Sequence, residues 1–247
     1  MQTISITNQK GGVGKTTLTA NLGYGLNEMG KRVLLVDLDP QANLSGIFGA
    51  LAVDPHIGHV LLGKTSAEAI TVQITHDLSL LPSSRELGDV ELSMVNKLGR
   101  ERLLTKALQG LNGYDYILID CPPSLDLLTI NALCYAKKVL IPTLLEPLSL
   151  QGLSELIETI KQVREAVNPA LDILGVVNTK HNSRRNLSVE VLEVIKTKLK
   201  LRVYNTFIRE NVKIAESPSF QKTVLQYDRS SHGARDYQQL VKEFVTR

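Results

Sequence analysis

Residues 10–17 read Lys-Gly-Gly-Val-Gly-Lys-Thr-Thr, between an apolar run that begins at Ile4 and a stretch of helical character that begins at Lys15. Three glycines in four positions let the backbone curl until successive N–H groups point inward at an anion. A helix starting at the end of such a loop adds the positive end of its dipole. A glycine-rich turn alone is only a turn; eight matching residues between a strand and a helix make a phosphate-binding loop. Gly11, Gly12, Val13, Gly14, Lys15, Thr16 and Thr17 are therefore expected to wrap a nucleoside triphosphate. Lys15 supplies the charge facing its β- and γ-phosphates, and the Thr16 hydroxyl is placed for Mg²⁺.

The rest of the chain fits that loop. Strand-like runs at residues 3–8, 32–37, 78–82, 116–120, 138–142 and 173–178 alternate with amphipathic stretches at 15–29, 101–108, 125–136, 151–167 and 187–199. Such alternation predicts βαβ units, hence an α/β fold with a mostly parallel twisted sheet and helices on both faces. Aromatic residues are only 4% and Trp is absent, so the core has to be built from Leu, Ile, Val and Ala. No linker, repeat or low-complexity tract divides the chain, and residues 1–247 are read as one domain. The least regular part is 43–77, where short helices joined by Gly and Pro are expected. No leader pattern opens the sequence, and no apolar run reaches the roughly 18 residues that span a bilayer. A cytoplasmic protein is expected.

Two acidic segments add to the loop. Residues 33–41 run Val-Leu-Leu-Val-Asp-Leu-Asp-Pro-Gln, an apolar strand delivering Asp37 and Asp39 at its C-terminal end, where open α/β sheets place their ligands. Two apart, these carboxylates share a face if the strand continues, and Pro40 then stops it. Residues 116–123 run Tyr-Ile-Leu-Ile-Asp-Cys-Pro-Pro, and Asp120 is suited to hold Mg²⁺ through a water. A strand ending in Asp is common; it gains this reading only beside the loop. Cys121 and Cys134 have neither disulfide nor metal-ligand spacing, and Cys121 reads as a small buried hydrophobe.

The general phosphate-loop pattern wants Gly where this chain has Gln9, and the surplus feature is Lys10. The combination K-G-G-x-G-K-T-T is similar to that of the deviant Walker A ATPases, among them ParA/Soj, MinD, ArsA and the nitrogenase iron protein. From Ile4 to its last helix the chain resembles the ParA/Soj partition ATPases. That resemblance implies an ATPase using ATP and Mg²⁺, with Lys10 reaching across a two-fold axis to the other subunit's nucleotide. It makes Lys10, Lys15 and Asp39 the catalytic set, Asp39 orienting the attacking water. Thr16, Asp37, Asp39 and Asp120 then surround the metal. Asn178 ends a strand and has both a donor and an acceptor for a purine edge; in the family this position helps read adenine. Residues 206–220 resemble the family's I-P-R-N-V-x-x-x-E-A-P-S stretch, with Arg209 in place of the Pro. Ile208, Arg209 and Glu210 are accordingly expected beside the base.

The formal charge of +3 is too small to indicate a nucleic-acid partner by itself. Arg184, Arg185, Lys196, Lys198, Lys200, Arg202, Lys213 and Lys222 nevertheless gather in the last third. For any one of them a solvated surface is the plainer reading. The resemblance implies collective, non-specific DNA binding in the ATP state, with Arg184, Arg185, Lys196, Lys213 and Lys222 as candidates. It further implies an ATP-state homodimer, a ParB-type or adaptor-type protein that stimulates slow hydrolysis, and nucleoid association. Cargo ranges from plasmids and chromosomes to assemblies such as carboxysomes. A MinD-like membrane-cycling ATPase is the alternative, and it wants a basic amphipathic terminal helix. Residues 236–247 place Tyr237, Leu240, Val241, Phe244 and Val245 on one face with few basic neighbours. They read as a packing helix, with no membrane partner.

Overall fold

The computed structural model describes residues 1–51, 53–181 and 187–246. Strand β1 (Gln2–Ile6) leads through the glycine loop into α1 (Lys15–Glu28), followed by β2 (Val33–Asp37). Three short helices come next, α2 (Asn43–Ile47), α3 (Ile57–Leu61) and α4 (Ala67–Ile70), then β3 (Val72–Thr75) and β4 (Leu78–Leu81). Helices α5 (Leu87–Met94) and α6 (Leu103–Ala107) precede β5 (Tyr116–Asp120), α7 (Leu127–Tyr135) and β6 (Lys138–Thr143). The chain continues through α8 (Pro147–Ala166), β7 (Asp172–Asn178), α9 (Leu187–Thr197), α10 (Val212–Glu216), α11 (Val224–Tyr227) and α12 (His232–Val245).

The strands form one sheet in the order β3-β4-β2-β5-β1-β6-β7. Every pairing is parallel except β3 with β4 at one edge. The α/β architecture with a mostly parallel sheet is as the alternating pattern predicts. β1 is flanked by β5 and β6: the chain crosses from β1 to β2, β3 and β4 on one side, returns to place β5 between β2 and β1, and then crosses to β6 and β7 on the other. The resulting crevice at the strands' C-terminal ends is where such sheets bind ligands.

Period-2 alternation sends each strand's residues to two separate cores. Leu34, Val36, Ile117, Ile119, Val139 and Ile141 join the core beneath α3, α5, α6, α7, α8 and α9. Val33, Leu35, Leu118 and Leu140 join the core beneath α1, α2, α11 and α12. Helix α1 buries nine of its 14 residues because it is sandwiched between the sheet and α12. Two glycines set that spacing. A Cβ on Gly23 would stand 2.5 Å from Leu35 Cδ2, and one on Gly25 the same distance from Val241 Cγ2. Helix α12 buries Tyr237, Leu240, Val241 and Phe244, the face expected of a packing helix. No described helix is long and apolar enough to cross a membrane.

Several elements differ from the sequence reading. β3, α5, α10 and α11 were not anticipated. α8 begins at Pro147 rather than 151, since Pro at the first helical position has no N–H to satisfy. α12 begins at His232 rather than 236, because the Ser231 hydroxyl caps it by accepting from the Ala234 N–H.

Candidate active site

The glycine loop crosses the end of β1. Gly12 and Gly14 have φ of 72° and 84°, a backbone that L side chains adopt at a cost. A Cβ at Gly11, Gly12 or Gly14 would meet no protein atom within 4 Å, so the three border open space. The loop is pinned from behind. The Thr179 hydroxyl donates to the Val13 carbonyl at 2.7 Å. Asn8 accepts the Lys10 N–H at 2.9 Å and donates to the Pro142 carbonyl at 2.7 Å. The Lys15 ammonium donates to the Lys10 carbonyl at 3.3 Å. Burial pushes the pKa of Lys15 down, opposed by the carboxylates of Asp120 and Asp39.

Asp37 and Asp120 are register partners on β2 and β5, and both are fully buried. Burial raises both carboxyls above the ordinary range, Asp37 to about 7, and the neighbouring Asp37 charge raises Asp120 further. Asp37 Oδ2 accepts from the Ser45 N–H at 2.8 Å and from its hydroxyl at 2.7 Å. Asp120 Oδ1 accepts from Thr19 at 3.4 Å, and its Oδ2 has no hydrogen-bond partner among the described residues. An orphaned carboxylate oxygen in a dry site is costly. Here it stands beside a second carboxylate and close enough to the Thr16 hydroxyl for that hydroxyl to lower its pKa. Hard oxygen donors of this kind fit Mg²⁺ with its waters.

Strand pairing stops at Asp37, so Asp37 and Asp39 are not presented alike. The Asp39 N–H turns back to Asp37 Oδ1 at 3.1 Å. Asp37 faces Ser45, whereas Asp39 lines a cleft of about 430 Å³ together with Gly11, Gly12, Gly14, Lys15, Thr16 and Thr17. Burial raises the Asp39 pKa, against the Gln41 N–H and the Lys15 charge. Val13 is buried behind the loop.

The structure brings the two expected base-side segments together. The Ile208 N–H donates to the Asn178 carbonyl at 2.9 Å, and the His181 N–H to the Ile208 carbonyl at 2.8 Å. The Asn178 amide meets His181 Nδ1 at 2.9 Å. From these segments Lys180, with Pro218 further on, lines the phosphate end of the cleft, and Asn178, Ile208, Arg209 and Glu210 are not among the residues lining that end. Arg209 directs Nε and Nη2 to Asp236 of α12 at 2.6–3.2 Å. Lys10 is also clear of the cleft; its ammonium donates to Glu146 Oε2 at 3.0 Å.

Of the candidate DNA contacts, Lys196 and Lys222 are exposed. Lys213 pairs with Glu216 at 2.9 Å and lies 5.6 Å from the centre of the Tyr227 ring. Arg184 and Arg185 lie outside the described residues. Sequence reasoning missed Gln41, Asn43, Pro123 and Lys180 on the cleft wall, and Ser45 and Thr179 behind it. Only Lys180 carried a signal, as a cation two residues beyond a strand end.

A family model described as an AAA domain matches residues 1–173. The sporulation initiation inhibitor protein Soj of Bacillus subtilis (strain 168) is 42% identical over 97% of this chain and 96% of its own length. The chromosome-partitioning ATPase Soj of Treponema pallidum (strain Nichols) is 41% identical over 100% of this chain and 98% of its own. Among solved structures, cobyrinic acid a,c-diamide synthase from Mycobacterium smegmatis with bound ADP and magnesium superposes with a TM-score of 0.85. It is 34% identical and covers 98% of this chain and 93% of that one.

Proposed function

This chain belongs to the ParA/Soj family of partition ATPases, and from that premise we propose that it is an ATP-driven dimerising switch that binds DNA without sequence preference in its ATP state. The observation that carries the reading is the placing of its two loop lysines. Lys15 lines the chain's own cleft, whereas Lys10, five residues earlier, holds its charge outside it. A charge so placed is of use to a nucleotide on another subunit.

In this proposal residues 11–17 wrap the phosphates of ATP with their N–H groups. Lys15 faces the β- and γ-phosphates, and Thr16, Asp37 and Asp120 surround the metal. Mg²⁺, when bound, supplies charge neutralisation for the phosphate oxygens. Asp39, on the cleft wall, orients the attacking water, and Lys10 enters the partner's cleft to stabilise charge on the transferring group. Asn178 and the segment of Ile208, Arg209 and Glu210 lie beside the adenine. Loss of the γ-phosphate removes what both subunits grip, so the dimer loosens and DNA is released. A ParB-type or adaptor-type protein accelerates slow basal hydrolysis, and the protein works in the cytoplasm on the nucleoid to position a plasmid, a chromosome or a protein assembly.

Filter retention of duplex DNA across a salt series, with and without ATP, tests the switch; retention indifferent to nucleotide would reject it. Brisk single-turnover hydrolysis by a strict monomer would also contradict it. The membrane-cycling reading predicts liposome co-sedimentation. None is expected, because the apolar face of α12 is already buried against α1. The diamide synthase neighbour is less similar than the partition proteins, at 34% against 41–42% identity, and supports the fold and the nucleotide site.

A further inference from the structure

Lys10 and Glu146 form an ion pair of 3.0 Å between the head of the glycine loop and the residue that precedes α8. Both ends of the pair are held. Asn8 ties the Lys10 N–H to the carbonyl of Pro142 at the end of β6, four residues before Glu146. Glu146 itself is extended, with φ −126° and ψ 146°, and its side chain caps no N–H of α8. Its carboxylate instead meets the ammonium of Lys10, and the positive end of a 20-residue helix favours the negative charge there. The two side chains are 37% and 32% exposed, and neither lines the cleft beside them.

We propose that Glu146 is a cis latch on Lys10: it holds the ammonium on its own chain, and the pair must open before Lys10 can enter a partner's nucleotide cleft. This rests on the trans role given to Lys10 above. An ammonium has one position at a time, so every chain whose Lys10 sits on Glu146 is withheld from the dimer. The apparent nucleotide requirement for dimerisation rises by the fraction latched. With about a third of each side chain exposed, the pair is weak and screened by salt. The latch therefore sets a threshold, which ATP on both subunits overcomes. Glu146 is a positioning residue acting through Lys10, and it contacts no phosphate.

The test measures dimer fraction by sedimentation against concentration of a non-hydrolysable ATP analogue. Glu146→Gln is expected to reach half-maximal dimerisation at a two- to fivefold lower concentration than the natural chain. Raising salt from about 50 to about 500 mM should narrow that gap, because screening opens the latch of the natural chain alone. ADP affinity of the monomer, read by fluorescence titration, should not change, whereas a merely structural defect would move it. An unchanged or higher threshold in Glu146→Gln overturns the latch; a higher one would make Glu146 a guide into the partner's site. Lys10→Ala separates the two levels of inference. If it abolishes dimerisation while Glu146→Gln has no effect, only the latch fails; if Lys10→Ala dimerises normally, the proposed trans role fails with it.

Discussion

Asp37 owes its place to one serine. Ser45 gives Asp37 both its N–H and its hydroxyl, and its oxygen accepts the Ser83 N–H at 2.9 Å. Ser45→Ala removes a donor from a buried carboxylate and orphans a buried amide, so a loss of about 1–3 kcal/mol is expected in urea unfolding. The same carboxylates set a pH response. Asp37 and Asp120 have folded pKa values raised above 3.8, so the folded chain keeps protons that the unfolded chain has released. The Asp37 contribution to stability is fully present below about pH 4 and is lost as pH rises through about 7, and that of Asp120 is lost as pH rises through its own raised folded value. Melting the nucleotide-free protein at pH 5.5 and 8 should show that decline, and Mg²⁺ with an ATP analogue should reduce it. The acids themselves were legible, because apolar strands that end in Asp announce them. Ser45, Ser83 and Thr179 were not. Their bonds join residues 8, 38 and 166 apart in sequence, and no local pattern records such a contact.

Helix α3 shows what an element needs that hydrophobic periodicity does not reveal. It spans five residues, too few for a repeat to be counted, and starts at a cap. His56 is 2% exposed, and its Nδ1 accepts the Gly58 N–H at 3.1 Å. Asp54, His56 and His59 come within 4.8 Å of one another. A neutral His56 whose Nδ1 accepts that bond carries its proton on Nε2, 3.5 Å from Glu86, and offers no lone pair to a metal there. The group is therefore a cap. Burial, together with His59, lowers the His56 pKa below 6.5, so its contribution is present above pH 6.5 and is lost as pH falls through the lowered folded value. His56→Ala should cost about 1 kcal/mol and His56→Ser rather less, since Ser also caps. Urea midpoints at pH 7.5 and 5.5 check both, and added Zn²⁺ should stabilise neither variant nor the natural chain. The longer elements were legible from alternation and from the 3.6-residue period. β3 was not, because its four residues are half-exposed at an edge and pair antiparallel to β4. The helices of 43–77 are four or five residues long and fixed by contacts rather than by pattern.

A dimer that grips DNA only with ATP bound places a numerical demand on the basic surface. Each protein cation seated on a phosphate releases counterions, so the slope of log affinity against log salt is about −0.9 times the number of phosphates neutralised. A monomer offers one set of contacts, and an ATP dimer that places both sets on one duplex offers two. The slope for random-sequence DNA should therefore roughly double with a non-hydrolysable ATP analogue. Lys196 is the candidate to remove, because it stands exposed in the last turn of α9. Lys213 is the poorer choice, since Glu216 already partners it. Lys196→Ala should flatten the slope by about 1 in the monomer and about 2 in the dimer, one phosphate per subunit, and weaken binding uniformly across sequences. Fluorescence anisotropy at four or five salt concentrations measures this. If the slope does not change with nucleotide, the two subunits do not bind DNA together; if it doubles but Lys196→Ala leaves it alone, the dimer reading stands and the DNA face lies elsewhere on the last third of the chain.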